Sequence, residues 1–182
     1  DAQLAAASIG PAAAEAPVTI DRRAIPADAA LLEYWLGQER ALVWTLTREG
    51  ITLSDLGAST AITDAALELH TSLHSLAAVA TQQRLQHAQQ LHGIVVAPVL
   101  PQVSLKKSLT VVADGALHYV AFAVLQSHGK QAGRFLIQDH DLAVAPSARA
   151  LLHSPGATSA AARMLLVADP VYAKDDARIA AP

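Results

Sequence analysis

Apolar and polar positions divide this chain into short extended runs and longer helical stripes. Leu31-Leu32-Glu33-Tyr34-Trp35-Leu36 is a β-leaning run, punctuated by Gly37-Gln38-Glu39-Arg40. Leu42-Val43-Trp44-Thr45-Leu46 is a second run, ended by Arg48-Glu49-Gly50, and Ile51-Thr52-Leu53 makes a third with alternation. Three runs separated by two short turns predict an antiparallel meander. Side chains alternate along a strand, so Leu42 and Trp44 share one face and Val43 and Thr45 the other.

A helix is expected next, opened by Ser59 or Thr63 as N-cap with Asp64 in its first turn. Ala66, Leu69, Leu73, Leu76 and Ala80 recur at three and four residues and form one apolar stripe. A second helix is expected over roughly 82–96, with Leu85, Ala88, His92 and Val95 on one face and glutamines opposite; Pro98 and Pro101 end it. Leu109-Thr110-Val111-Val112-Ala113 reads as a strand covered on both faces, stopped by Asp114-Gly115. Ala121 to Leu125 reads as a short helix, and Ser127 to Gly133 as a polar loop. Phe135-Leu136-Ile137 and Leu142-Ala143-Val144 are two more short runs around Asp139-His140-Asp141. Pro146-Ser147 opens a helix through Leu152, residues 153–162 form a small-residue loop, and Met164-Leu165-Leu166-Val167-Ala168 is a buried-type strand broken by Asp169-Pro170. Strands mixed with helices predict an α/β or α+β fold with a mixed sheet. The apolar run 164–168 has no helix after it, so the chain is expected to be incomplete at its carboxyl end.

Composition narrows the functional classes. At 182 residues the chain suits one domain with an extension. Of its residues 52% are hydrophobic, but many are alanine, so the core must come from the Leu and Val clusters. A net charge of −3 with no basic stripe argues against a nucleic-acid partner. Apolar runs stop well short of the about 20 residues a membrane span needs. The start Asp1-Ala2-Gln3-Leu4 lacks an initiator Met and a basic leader, which suggests a processed or excised chain; with no export signal visible, a cytoplasmic location is expected. The absence of cysteine excludes thiol catalysis, disulfides and thiolate metal sites by this chain alone.

The candidate chemistry is thin. His70 and His74 are four apart, which puts both imidazoles on one helix face about 6 Å apart, the spacing of paired zinc ligands. Thr71, Ser72 and Leu73 lie between them, without the glutamate base of a catalytic zinc motif, so a solvated polar face is the expected role. His92-Gly93 and His128-Gly129 have the residues of a caspase-type His-Gly, but neither follows a buried strand. Ser147 would need a glycine two residues to either side to be a nucleophile elbow; Ala145 and Arg149 stand there, so it reads as an N-cap. His118, beyond the Asp114-Gly115 turn, is expected to be a packed histidine bonding to backbone. There is no phosphate-cradling glycine-rich loop.

Four segments, in this order and spacing, resemble a known family: Leu31 to Gly37, Asp114-Gly115-Ala116-Leu117-His118-Tyr119-Val120-Ala121-Phe122, Ala145-Pro146-Ser147-Ala148, and Leu165-Leu166-Val167-Ala168-Asp169-Pro170. Together, over about residues 28–172, they resemble the CHAT domain, a caspase-like cysteine peptidase family often found behind tetratricopeptide repeats. Where that family usually has Pro before the Phe, this chain has Ala121, with little effect expected on the fold. The resemblance implies a caspase-like or pseudo-caspase-like sheet. It also implies that the catalytic His and Cys lie beyond the Asp-Pro segment, past Pro182. No catalytic, cofactor-binding or metal residue is therefore assigned here, and no cofactor. The implied division is an Ala/Pro-rich linker or end of an upstream helical repeat (1–28), a non-catalytic amino-terminal subdomain (29–162), and the first strand of a truncated catalytic subdomain (163–182).

The expected function is support of an absent catalytic half, because loss of the nucleophile and base leaves only binding. The expected partners are the remainder of the polypeptide, upstream repeats, and protein partners or substrates, with no nucleic acid and no membrane. Two alternatives remain open: a stand-alone interaction module derived from the protease fold, and a metallo-hydrolase using His70, His74 and one other histidine.

Overall fold

A computed structural model describes residues 21–74, 80–127 and 133–152. Five strands form one mixed sheet in the order β3-β2-β1-β4-β5: β1 (Ala29–Leu36), β2 (Arg40–Leu46), β3 (Ile51–Ala58), β4 (Ser108–Val112) and β5 (Asp141–Val144). The first three make the expected antiparallel meander, while β4 pairs parallel to β1 and β5 parallel to β4. Each hairpin is closed where the polar punctuation predicts it: Gly37 N–H donates to Arg40 O at 3.1 Å, and Thr47 N–H to Gly50 O at 2.9 Å. Gly37 is needed for space. A Cβ there would lie 2.4 Å from the Trp35 indole, which folds back across the turn.

Parallel strands need crossovers, and these carry the helices. Between β3 and β4 run α1 (Ser59–His74), α2 (Ala80–Val95) and the single turn α3 (Leu100–Val103). Between β4 and β5 run two 3₁₀ turns (Gly115–Tyr119 and Phe122–Val124) and the single turn α4 (Leu136–Asp139); α5 (Ala148–Leu152) follows β5. Side chains from both crossovers enter one core with Ala30, Leu32, Tyr34, Val43, Leu109 and Val111 of the sheet. Leu32, Leu69, Leu91 and Leu109 there are fully buried, and each such side chain contributes about 1.5–3 kcal/mol of transfer energy. The opposite sheet face carries a smaller cluster in which Ala148, with Leu152 at its margin, meets Leu31, Leu46 and Val112. Strand β4 thus supplies both faces, Leu109 and Val111 to one and Val112 to the other, as its largely apolar run predicts.

Three expectations need correction. Helix α1 begins at Ser59 itself, so neither Ser59 nor Thr63 caps it and Asp64 lies past the first turn. The reason is β3, which bulges where Ala41 pairs with Gly57 but Leu42 pairs with Asp55. That bulge, with Gly57 at φ +85°, leads β3 into the helix without a loop. Ser59 is held through its backbone, donating to Glu39 O at 3.2 Å, and its buried hydroxyl has no partner. The buried stripe of α1 is consequently Ile62, Ala65, Ala66 and Leu69, while Leu73 is partly exposed; of the rest of the expected stripe, Leu76 lies outside the described residues and Ala80 begins α2. The run 135–137 is no strand; it enters the helical turn α4, and only Phe135 makes an isolated bridge, to Gln126. The 121–125 helix is a 3₁₀ turn over Phe122–Val124. The expected loop at 153–162 and the run 164–168 lie outside the described residues.

Candidate functional site

In an open α/β sheet, ligands and chemistry gather beyond the carboxyl ends of the parallel strands. At that edge, where β1 and β4 end together, this chain places its Asp114-Gly115 turn. The Asp114 carboxylate Oδ2 accepts the Leu36 backbone N–H at 2.8 Å. Gly115 follows at φ +53°, and a Cβ there would lie 3.4 Å from Leu36 Cδ2. That left-handed residue turns the chain so that Leu117 is buried and His118 and Tyr119 face outward. Phe122 then returns to the core, its ring 5.7 Å from that of Tyr34. Tyr34 donates its hydroxyl to Val95 O at 2.9 Å, one of the carbonyls that the end of α2 leaves without an intrahelical acceptor role. Burial pushes the Tyr34 phenol far above its ordinary range. The Leu31–Gly37 and Asp114–Phe122 segments are therefore two sides of one latch across this edge. Its charged group is spent on a backbone N–H.

The expectation that His118 is packed fails here, because Leu117 takes the inward position and His118 is exposed. His70, half-buried on α1, meets the same turn: its Nδ1 lies 3.3 Å from Tyr119 O. His74 Nδ1 lies 2.8 Å from His70 O, and the two imidazole centroids are 4.5 Å apart. His92 is buried in α2, in a helix as expected. His128-Gly129 lies outside the described residues. Ser147 stands at the N-cap position of α5, directly after the β5 segment whose Ala145 N–H donates to Val111 O at 2.9 Å.

Other polar groups face the opposite edge of the sheet. A cavity of about 590 Å³ there is lined by Thr47, Glu49, Pro101, Gln102 and Lys106 among others. Lys106, only 13% exposed, donates to Ala27 O at 2.8 Å and to Glu49 Oε2 at 2.9 Å. The Lys106 hydrogen bond, helped by backbone and Thr47 donors, holds the Glu49 carboxyl down at about 2. A second cavity, about 190 Å³, has His92, His140, Arg134 and Asp139 on its wall. Arg134 is paired with Asp139 at 2.6 Å, and His140 places Nδ1 2.7 Å from Lys106 O. Back at the Asp114 edge, where Ala41 pairs with Leu36, Arg40 pairs with Asp55, whose carboxyl is lowered first by the Gly57 N–H and then by Arg40. These acids and bases are engaged with each other or with backbone. Among the described residues, no three of His, Asp and Glu are grouped to hold a metal ion.

Sequence reasoning missed the roles of Asp114, Tyr34 and His140. The Asp-Gly pair after an apolar run marks a turn, but the Leu36 N–H it serves is 78 positions away. Nothing local could have pointed to that pairing.

The same turn lies in the stretch recognised by a family model: the CHAT domain model matches residues 85–181. The chain belongs to the CHAT domain family. The match begins within α2 and takes in the Asp114–Phe122, Ala145–Ala148 and Leu165–Pro170 segments; the β1–β3 meander and α1 precede it. No curated protein matches the chain. Within this CHAT chain, the five-stranded mixed sheet with helices packed on it agrees with the expected α/β class. No helix among the described residues is long and apolar enough to cross a membrane.

Proposed function

We propose that this chain is the amino-terminal, non-catalytic part of a CHAT-type caspase-like cysteine endopeptidase, and that it supports a catalytic half carried by further sequence. One observation carries the reading: at the strand-end edge where chemistry would be expected, the Asp114 carboxylate is engaged by the Leu36 backbone N–H. The missing cysteine supports it, because a cysteine peptidase needs a thiolate, an imidazole to take its proton and oxyanion donors. In this reading residues 1–28 link to upstream helical repeats, 29–162 form the supporting subdomain, and 163–182 begin the catalytic one. Its partners are the rest of the polypeptide and protein substrates, in the cytoplasm.

The experiment compares the purified chain with the same chain extended by the sequence that follows it in its gene. The extended protein is expected to cleave unstructured protein substrates and to lose that activity on thiol alkylation; the chain alone is expected to be inert. Hydrolysis by the chain alone, abolished by changing one of its own side chains, would sink the proposal.

A specific observation favours a second reading, an interaction module. On the sheet face opposite α1 and α2, Trp35, Ile51 and Leu53 are 46%, 51% and 54% exposed. Apolar side chains at that exposure suit a protein contact. A monomer whose Trp35 fluorescence is unchanged by the extension would support the module over the peptidase subdomain.

A further inference from the structure

We propose that His70 and His74 form a two-imidazole clamp for a divalent transition-metal ion of the zinc, nickel or copper class, seated on the last turns of α1. The proposal does not depend on the peptidase reading, although Tyr119, whose carbonyl holds His70, belongs to the Asp114–Phe122 segment.

Spacing alone brings the two rings to one helix face. The structure adds how each ring is held. His74 Nδ1 lies 2.8 Å from His70 O, and His70 Nδ1 lies 3.3 Å from Tyr119 O. A carbonyl oxygen only accepts, so each Nδ1 carries the ring proton. Each neutral imidazole then has its Nε2 lone pair available. A histidine whose other nitrogen donates to a backbone carbonyl is the usual outer-shell arrangement of a metal ligand, fixing both tautomer and ring orientation.

The separation also fits. Two imidazole nitrogens at about 2.0–2.1 Å from a tetrahedral zinc lie about 3.3 Å apart, which places the ring centroids about 5 Å apart. The observed centroids are 4.5 Å apart with the planes tilted by 47°. His74 is exposed and His70 half-buried, so an ion can reach the pair from solvent. Tyr119 stands edge-on to His70, with ring centroids 5.6 Å apart, and flanks the site. The nearby Glu68 is drawn away to His87, at 3.3 Å.

Among the described residues no third ligand of the His, Asp or Glu type joins the pair. Water would fill the remaining positions, giving an exchangeable surface site. Such a site differs from the closed four-ligand zinc of structural domains and from catalytic zinc with three protein ligands. Imidazole donors suit zinc, copper and nickel over magnesium or calcium. Because His70 is anchored on Tyr119 O, a bound ion would fasten the end of α1 to the Gly115–Tyr119 turn. Binding only to the folded chain, it would raise the melting temperature.

The test is isothermal titration of the untagged chain with zinc chloride in a phosphate-free buffer, paired with thermal melts. Saturable uptake of one zinc per chain is expected. His70→Gln and His74→Gln should each weaken it at least tenfold, and His74→Gln should abolish the zinc-dependent rise in Tm. His118→Gln should leave uptake unchanged. Absence of saturable uptake, wild-type uptake by either clamp variant, or loss of uptake in His118→Gln overturns the assignment. Circular dichroism reports whether each variant folds; if His70→Gln does not, the exposed His74→Gln decides alone.

Discussion

Asp114 offers the sharpest test of how this fold is held together. Its part-buried carboxylate accepts the Leu36 N–H at 2.8 Å and joins the end of β1 to the turn after β4. Replacing it with alanine removes the acceptor and leaves that N–H with nothing to bond. A hydrogen bond to a charged group contributes about 1.5–3 kcal/mol, and an unsatisfied buried donor costs about 1–3 kcal/mol. These describe the same event and are not summed, so Asp114→Ala should destabilise by about 2 kcal/mol. At about 2–4 °C per kcal/mol for a chain of this size, Tm should fall by about 4–8 °C. Asp114→Asn keeps an acceptor but loses the charge, so it should lose about half as much. The assay is urea unfolding of the wild type and both variants, followed by far-UV circular dichroism, with the m-value compared across the three. Equal midpoints for wild type and Asp114→Ala would refute the latch. So would a loss in Asp114→Asn as large as in Asp114→Ala, since shape rather than hydrogen bonding would then be at issue.

Tyr34→Phe should cost about 1–2 kcal/mol in the same urea assay, because it strips the donor from the buried Val95 carbonyl while keeping the ring that faces Phe122. Gly37→Ala should displace the Trp35 indole, which lies 2.4 Å from the new methyl, and shift tryptophan emission; an unchanged spectrum would contradict that packing. The Glu49 carboxyl is lowered in the fold from 4.5 to about 2, chiefly by Lys106, so its contribution is fully present above pH 4.5 and is lost as pH falls towards 2. Glu49→Gln should therefore flatten the acid limb of the stability profile in that window and leave its neutral limb in shape; an identical acid limb in wild type and variant would count against the Lys106 pairing.

Much of the local architecture was legible along the chain. The apolar runs at 31–36 and 42–46, the alternating run at 51–53 and the turn residues between them specify the meander. The largely apolar run at 109–113 marks a strand covered on both faces, and of the expected α2 face Ala88, His92 and Val95 are buried, joined by Leu91, while Leu85 is half-buried. Boundaries were less secure. The start of α1 depends on a β-bulge, and the bulge depends on how β3 registers with β2. The 135–137 run became a helical turn because its backbone has only the single bridge at Phe135 to pair with.

By itself, the sequence determined the β1–β3 meander, the two long helices, the strand β4, the resemblance to CHAT domains and the absence of a thiol nucleophile from this chain, because periodicity and residue chemistry are local properties. The tertiary structure alone decided that Asp114 serves Leu36, that Tyr34 serves Val95, that His118 faces solvent, and that His70 reaches Tyr119. Each of those pairings spans between about fifty and eighty positions or depends on a neighbour's burial. Chain folding sets such distances through the packing of the whole core, and no window along the sequence contains both partners.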